Sequence, residues 1–306
     1  MTAFLPEGKR IHNAANLTAL CSFEGLKRAM ERGDILEAKA LSCDHEHNLK
    51  VELPFCRGVI PREEGALGIR EGNVRDIALL SRVGRAVCFT VKDIVQEDDG
   101  VTAILSRADA QQKCAGQYLS ALRSGDVIPA RVTHLEPFGA FCDIGCGMVA
   151  LMPIDSISVS RIEHPDERFT VGMDIFAVIK SISGSRVTLS HKELLGTWKE
   201  NIARFSIGDT VTGVIRSIEN YGAFVELAPN LAGLAELRDN IHVGDTAAVY
   251  IKSILPQKMK VKLIIIDHFY EPTLPEAPEY FITDGHIDRF VYSPPDCAKV
   301  IETEFG

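Results

Sequence analysis

Phe138-Gly139-Ala140-Phe141 returns 83 residues later as Tyr221-Gly222-Ala223-Phe224, and the repeat extends to both sides of this pattern. Gly125 to Ile144 aligns with Gly208 to Leu227 at the same offset, with Gly-Asp opening both copies. The offset still holds where Ala150-Leu151 falls on Gly233-Leu234. It drops to 72 at Val171-Gly172 against Val243-Gly244, so the last copy lacks about eleven loop residues. Chain-closure entropy tolerates such a deletion easily. A fainter copy lies upstream at an offset of 92, where Gly33-Asp34 answers Gly125-Asp126 and Ile60-Pro61 answers Met152-Pro153. Three units of 60 to 80 residues therefore organise the 306-residue chain.

Within the middle copy, Asp126 to Leu135, Phe138 to Ile144, Met148 to Met152, Asp174 to Ile182 and Arg186 to Ser190 are short β-branched or alternating segments separated by Gly, Pro and Ser. Five short antiparallel strands closing on themselves make a small barrel, and closure removes the edges they would otherwise expose. Leu194, Leu195, Trp198, Ile202 and Phe205 fall near helical spacing and predict a connecting helix within Ser190 to Phe205. Ser22 caps a second short helix, Ser22 to Glu31, leading into the first copy. The expected order is an N-terminal extension with a short helix (1–32), a diverged barrel (33–110), a barrel (125–193), a connecting helix (194–206), a barrel (207–266) and a tail (267–306). Five prolines exclude a fourth barrel from the tail. Tyr280, Phe281, Phe290, Val291 and Tyr292 predict an irregular segment lying against the last barrel.

Composition agrees with a globular chain, 46% apolar and 25% charged. Apolar runs such as Leu263 to Ile266 are too short to cross a bilayer, and the start lacks a secretory pattern, so the expected compartment is the cytoplasm and no membrane is a partner. Eight scattered cysteines without a CxxC pair make a disulfide framework unexpected there. The net charge of −9 argues against binding nucleic acid by overall positive field. Most of that charge lies in the tail, whose nine acids face Arg289 and Lys299. Any nucleic-acid site is therefore local.

Two aromatics three apart on a flat strand point to opposite faces, so the intervening glycine matters. A bulge or kink there presents both rings on the surface as a base-stacking platform; the alternative is that one or both fill the core. Recurrence of the whole pattern favours the surface.

Gly-Asp, aromatic-Gly-Ala-Phe, an Ala-Leu or Gly-Leu strand start, Val-Gly and finally Arg186-Val187-Thr188-Leu189-Ser190 together resemble the S1 RNA-binding domain. The resemblance covers residues 125–193 strongly, 207–266 well and 33–107 weakly. It implies an all-β chain of three tandem five-stranded oligonucleotide-binding (OB-fold) barrels with short connecting helices. It also implies single-stranded RNA bound by exposed aromatics and a basic residue at the start of the last strand: Phe138, Phe141 and Arg186 in one copy, Tyr221, Phe224 and Lys260 in the next. Where the family often has a histidine after the third strand, this chain has Pro61, Pro153 and Glu236. The first copy has Leu49-Lys50-Val51-Glu52 in place of the platform, so it is expected to dock on protein, such as the small ribosomal subunit, or to brace its neighbour instead of binding RNA.

Arg131, His134, Arg216 and Lys258 add candidate phosphate contacts, and Lys258, Lys260 and Lys262 alternate as if sharing one strand face. The tail acids, as an autoinhibitory device, would compete with RNA for that stripe. Cys43, His45 and His47 alternate and offer three zinc ligands; a polar hairpin turn explains the same residues without metal. No phosphate-cradling loop, nucleophile elbow or HExxH is present, so neither catalysis nor a cofactor is expected. The leading reading is a monomeric, non-enzymatic protein that holds unstructured mRNA for translation. The alternative is an acidic adaptor that binds the ribosome or a nuclease with little RNA affinity of its own.

Overall fold

Alternation of buried and exposed residues along strands such as Thr246–Leu255 and Lys260–Phe269 leaves each with one apolar face, and short strands of this kind bury that face by closing into a barrel. A computed structural model describes residues 4–97, 100–184, 186–270 and 275–306. It contains three closed five-stranded barrels.

Two helices lead in: α1 (Ala14–Leu20) and α2 (Phe23–Arg32). The Ser22 hydroxyl accepts from Gly25 N–H at the start of α2, and Gly33 ends it in the left-handed conformation (φ 66°). The first barrel comprises β1 (Leu36–Cys43), β2 (Leu49–Val51), β3 (Arg57–Ile60), β4 (Ala86–Glu97) and β5 (Gly100–Ser106), with the short helix α3 (Ile77–Leu80) between β3 and β4. Helix α4 (Arg107–Gln117) follows. The middle barrel is β6 (Val127–Glu136), β7 (Gly139–Asp143), β8 (Val149–Pro153), β9 (Asp174–Ser183) and β10 (Arg186–Ser190). The expected connecting helix is reduced to a 3₁₀ turn, Lys192–Leu195, and a five-residue helix, α5 (Trp198–Ile202); between them Gly196, at φ 80°, breaks the helical path. The third barrel is β11 (Thr210–Glu219), β12 (Gly222–Ala228), β13 (Leu231–Ala235), β14 (Thr246–Leu255) and β15 (Lys260–Phe269). In each barrel the first three strands are consecutive neighbours, the fifth lies between third and fourth, and third and fifth run parallel.

The chain forms two compact units, one of Met1–Leu122 with Asp143–Val149, the other of Arg123–Cys142 with Ala150–Gly306. In the first, Glu7 holds Arg107 through two bonds (Nε–Oε1 2.7 Å, Nη2–Oε2 3.1 Å), both side chains buried. A buried charge needs such a partner.

In the second unit the tail touches the middle barrel as well as the last one. Val127 and Phe176 of the middle barrel donate backbone N–H groups to Gly285 O (3.0 Å) and the Tyr280 hydroxyl (3.1 Å), while Ile287 N–H reaches Gly125 O (2.9 Å). The third barrel receives the Tyr292 hydroxyl at Asn230 O. Two tail strands, β16 (Arg289–Val291) and β17 (Glu302–Glu304), pair with each other. Phe290, Tyr292 and Phe305 enter one apolar core with Val178, Trp198, Leu231 and Ile251. The middle barrel offers the tail apolar surface at Val127 and Phe176, and burial of each large side chain there stabilises by roughly 1.5–3 kcal/mol. Arg168 pairs with Glu226 and Arg216 with Glu167 across the two barrels, and Arg216 also pairs with Glu226 of its own barrel.

All eight cysteines are free thiols. No helix among the described residues is long and apolar enough to cross a membrane.

Candidate nucleic-acid interface

The β11–β12 hairpin turns in two residues, Asn220 and Tyr221, between the paired Glu219 and Gly222. Tyr221 thus sits in the turn and not on the strand, which frees it from strand alternation. It is 68% exposed, and its ring meets half-buried Phe224 edge-on at 6.2 Å. The middle barrel repeats the arrangement: Phe138 in the turn is 55% exposed and meets Phe141 edge-on at 6.0 Å. Both pairs therefore lie on the surface. The glycine acts differently from the expected bulge. Its pairing is regular, and the bulge lies on the partner strand between Ile215 and Ser217. What Gly222 provides is close approach, because a Cβ there would stand 2.5 Å from Ala235 O; at Gly139 it would stand 2.3 Å from Met152 O.

Register extends the platform sideways. In the third barrel Phe224 faces Leu234, Leu234 faces Lys262, and Lys262 faces Ser253. The matching row of the middle barrel reads Leu151, Thr188, Ser181, and that of the first reads Lys50, Val59, Ile104, Asp93. Lys50 thus occupies the place of the strand aromatic, and the first barrel has no ring there. Leu151 and Leu234 were not singled out in the sequence. Their signal was the conserved spacing of the Ala-Leu and Gly-Leu pairs between the two copies.

The basic candidates divide. Arg186 opens β10 two residues before Thr188 and is exposed on the same face; Lys260 opens β15 two residues before Lys262. Lys258 leaves this stripe, because it lies in the 3₁₀ turn Pro256–Lys258 and Met259 in the left-handed conformation (φ 47°) interrupts the alternation. His134 stacks on Phe141 at 6.3 Å, with Nε2 2.7 Å from Glu136 Oε1. Arg131 forks onto Asp174 (2.8 and 3.0 Å), and Arg216 is held by Glu167 and Glu226, so neither guanidinium is brought to the aromatic pairs. Glu236 lies 3.7 Å from Lys252 Nζ. The tail acids pair with Arg204, His286 and Arg289; among the described residues none of their ion pairs reaches Lys258, Lys260 or Lys262.

Asp44 organises the Cys43–His47 segment as a turn, its Oδ1 accepting from Glu46 N–H (3.0 Å) and Asn48 N–H (2.9 Å). Among the described residues no three His, Cys, Asp or Glu side chains form a metal-binding group.

Comparison with known proteins matches the S1 RNA binding domain family to residues 121–192. The chain is 32% identical over 255 residues to small ribosomal subunit protein bS1 of Staphylococcus aureus (strain COL), covering 80% of this chain and 62% of the relative. The bS1 protein of Staphylococcus epidermidis is 30% identical over the same coverage. The chain thus spans less than two thirds of the length of these relatives. A solved multidomain protein with nucleic acid binding domains from Streptococcus pneumoniae is similar over 78% of this chain and 75% of its own, at 11% identity and a TM-score of 0.25. Residues 121–192 of the chain thus carry an S1 RNA binding domain, and the chain as a whole resembles small ribosomal subunit protein bS1.

Proposed function

We propose that the chain binds single-stranded RNA, including unstructured mRNA, through its middle and third barrels, and works in the cytoplasm with the small ribosomal subunit. The observation that carries this reading is the recurrence of one exposed, edge-on aromatic pair on two barrels, one of them within the matched S1 domain. Each ring offers a stacking surface worth roughly 1–3 kcal/mol per base without regard to sequence. Arg186, Lys260 and Lys262 stand beside the pairs to meet phosphates. With so few cations per barrel, affinity falls with salt and depends on linked barrels engaging one strand. Lys50 in the aromatic position supports a different duty for the first barrel, contact with a protein of the ribosomal subunit. The protein acts as a monomer and carries out no chemistry on the RNA.

Replacing Phe138 and Phe141 together by Ala tests the platform. Phe138 is exposed and Phe141 half-buried, so the barrel stays folded while affinity for unstructured RNA drops several-fold. Unchanged affinity in a folded variant overturns the assignment. Retention on a ribosomal protein at high salt, with none on RNA, would instead support the adaptor.

A further inference from the structure

The outer face of β14 and β15 carries apolar side chains that the fold leaves uncovered. Along β15, Val261, Leu263 and Ile265 point into the barrel, whereas Lys260, Lys262, Ile264 and Ile266 point out. Ile264 lies opposite Tyr250 on β14. Tyr250 is 36% exposed, Ile264 37% and Ile266 52%.

The middle barrel supplies the comparison. Counted from the row that contains Thr188 and Lys262, Ser190 corresponds to Ile264, and its partner Val178 corresponds to Tyr250. Ser190 and Val178 are fully buried, and Val178 lies in one core with Leu194, Trp198 and Tyr292. The same place on the third barrel holds a tyrosine and an isoleucine that are each about a third exposed. A surface that the chain covers in one repeat and leaves open and apolar in the next marks a binding position.

Charge and continuity indicate the occupant. Ile264 follows Lys262 by two residues, about 7 Å along the strand, so the patch continues from the Phe224–Leu234–Lys262 row. Lys252, Lys262 and Lys260 lie toward one end of it along the β14–β15 pair, in a chain of net charge −9. Of the neighbouring acids, Glu236 pairs with Lys252, Asp209 accepts from Ser206 N–H (2.7 Å), and Asp267 lies beyond Ile266. A flat apolar ligand with negative charge on the lysine side fits: a nucleobase with its phosphate.

We infer that Tyr250 and Ile264 form a second base-stacking position on the third barrel, reached from the Tyr221–Phe224 pair by way of Leu234 and Lys262, so that this barrel holds a longer stretch of single strand than the middle one. The inference rests on the RNA-binding reading and deepens it.

Binding of a labelled, unstructured RNA to the full chain is compared for the wild type, Tyr250→Ala, Tyr250→Phe, Ile264→Ser and the double variant Tyr221→Ala/Phe224→Ala. Tyr250→Ala is expected to weaken binding at least about fivefold, the low end of the loss of one stacked base, and Tyr250→Phe to retain it. Ile264→Ser weakens it less. If Tyr221→Ala/Phe224→Ala weakens binding and Tyr250→Ala does not, the second position is refuted and the RNA reading stands. If the wild type binds no RNA, the RNA reading itself fails. If Tyr250→Ala leaves RNA affinity unchanged but abolishes self-association measured by sedimentation, the patch is an interface between copies and the inference is wrong.

Discussion

Lowering the pH from 7 to 5 withdraws about 2 kcal/mol of stability from the second unit through one side chain, His191. The imidazole is fully buried, and burial holds its pKa down to about 4, from an ordinary value of 6.5. Its hydrogen bonds suit the neutral ring: Nδ1 donates to Ile157 O (3.0 Å), and Nε2 accepts from the Tyr280 hydroxyl (3.0 Å), which in turn accepts from Phe176 N–H. Because the folded value lies below the unfolded one, the unfolded chain takes up the proton first. The stability is complete above pH 6.5 and is lost as the pH falls toward 4, reaching about 3 kcal/mol overall at about 1.4 kcal/mol per unit. Trp198, the single tryptophan, is buried in the core that the tail closes, so its emission reports this unit directly. Denaturant unfolding followed at Trp198 at pH 7, 6 and 5 gives the slope. His191→Gln keeps one donor and one acceptor but does not titrate; it is less stable at pH 7 and loses about 2 kcal/mol less between pH 7 and 5. Equal losses in the wild type and His191→Gln would refute the reasoning.

Two other perturbations follow from the geometry. Gly222→Ala places a methyl group against Ala235 O and should lower stability by roughly 1–3 kcal/mol, seen as a drop of several degrees in Tm; an unchanged Tm contradicts the close-approach role. Removing residues 275–306 uncovers Trp198 and the Val127–Phe176 surface, red-shifting Trp emission and lowering stability, without strengthening RNA binding. Tighter binding in a folded truncation would restore the autoinhibitory reading.

The barrels were legible because repetition supplies its own control: a four-residue pattern recurring with its flanking Gly-Asp and Val-Gly is hard to produce except by a repeated fold. What escaped was held by polar groups. Helix α4 buries Arg107, Ala110, Gln111 and Cys114, a regular helical face that hydrophobic periodicity misses because two of its four side chains are polar. Lys258 leaves the expected alternating stripe because the β14–β15 turn takes four residues, Pro256 to Met259, so that β15 opens at Lys260, the residue the resemblance already matches with Arg186. The tail's place on the middle barrel depends on Tyr280 reaching His191 and Phe176 across about a hundred residues, which no local pattern encodes. Tyr250 was hidden for the opposite reason, since an aromatic on an alternating strand is ordinarily core.

The most direct test of the central claim is fluorescence anisotropy of an unstructured RNA of about 20 nucleotides, long enough for more than one barrel, titrated with the full chain at low and high salt beside a matched duplex. Micromolar or tighter binding that prefers the single strand and weakens with salt is the predicted result. Equal binding to single strand and duplex, or none at low salt, would contradict the account.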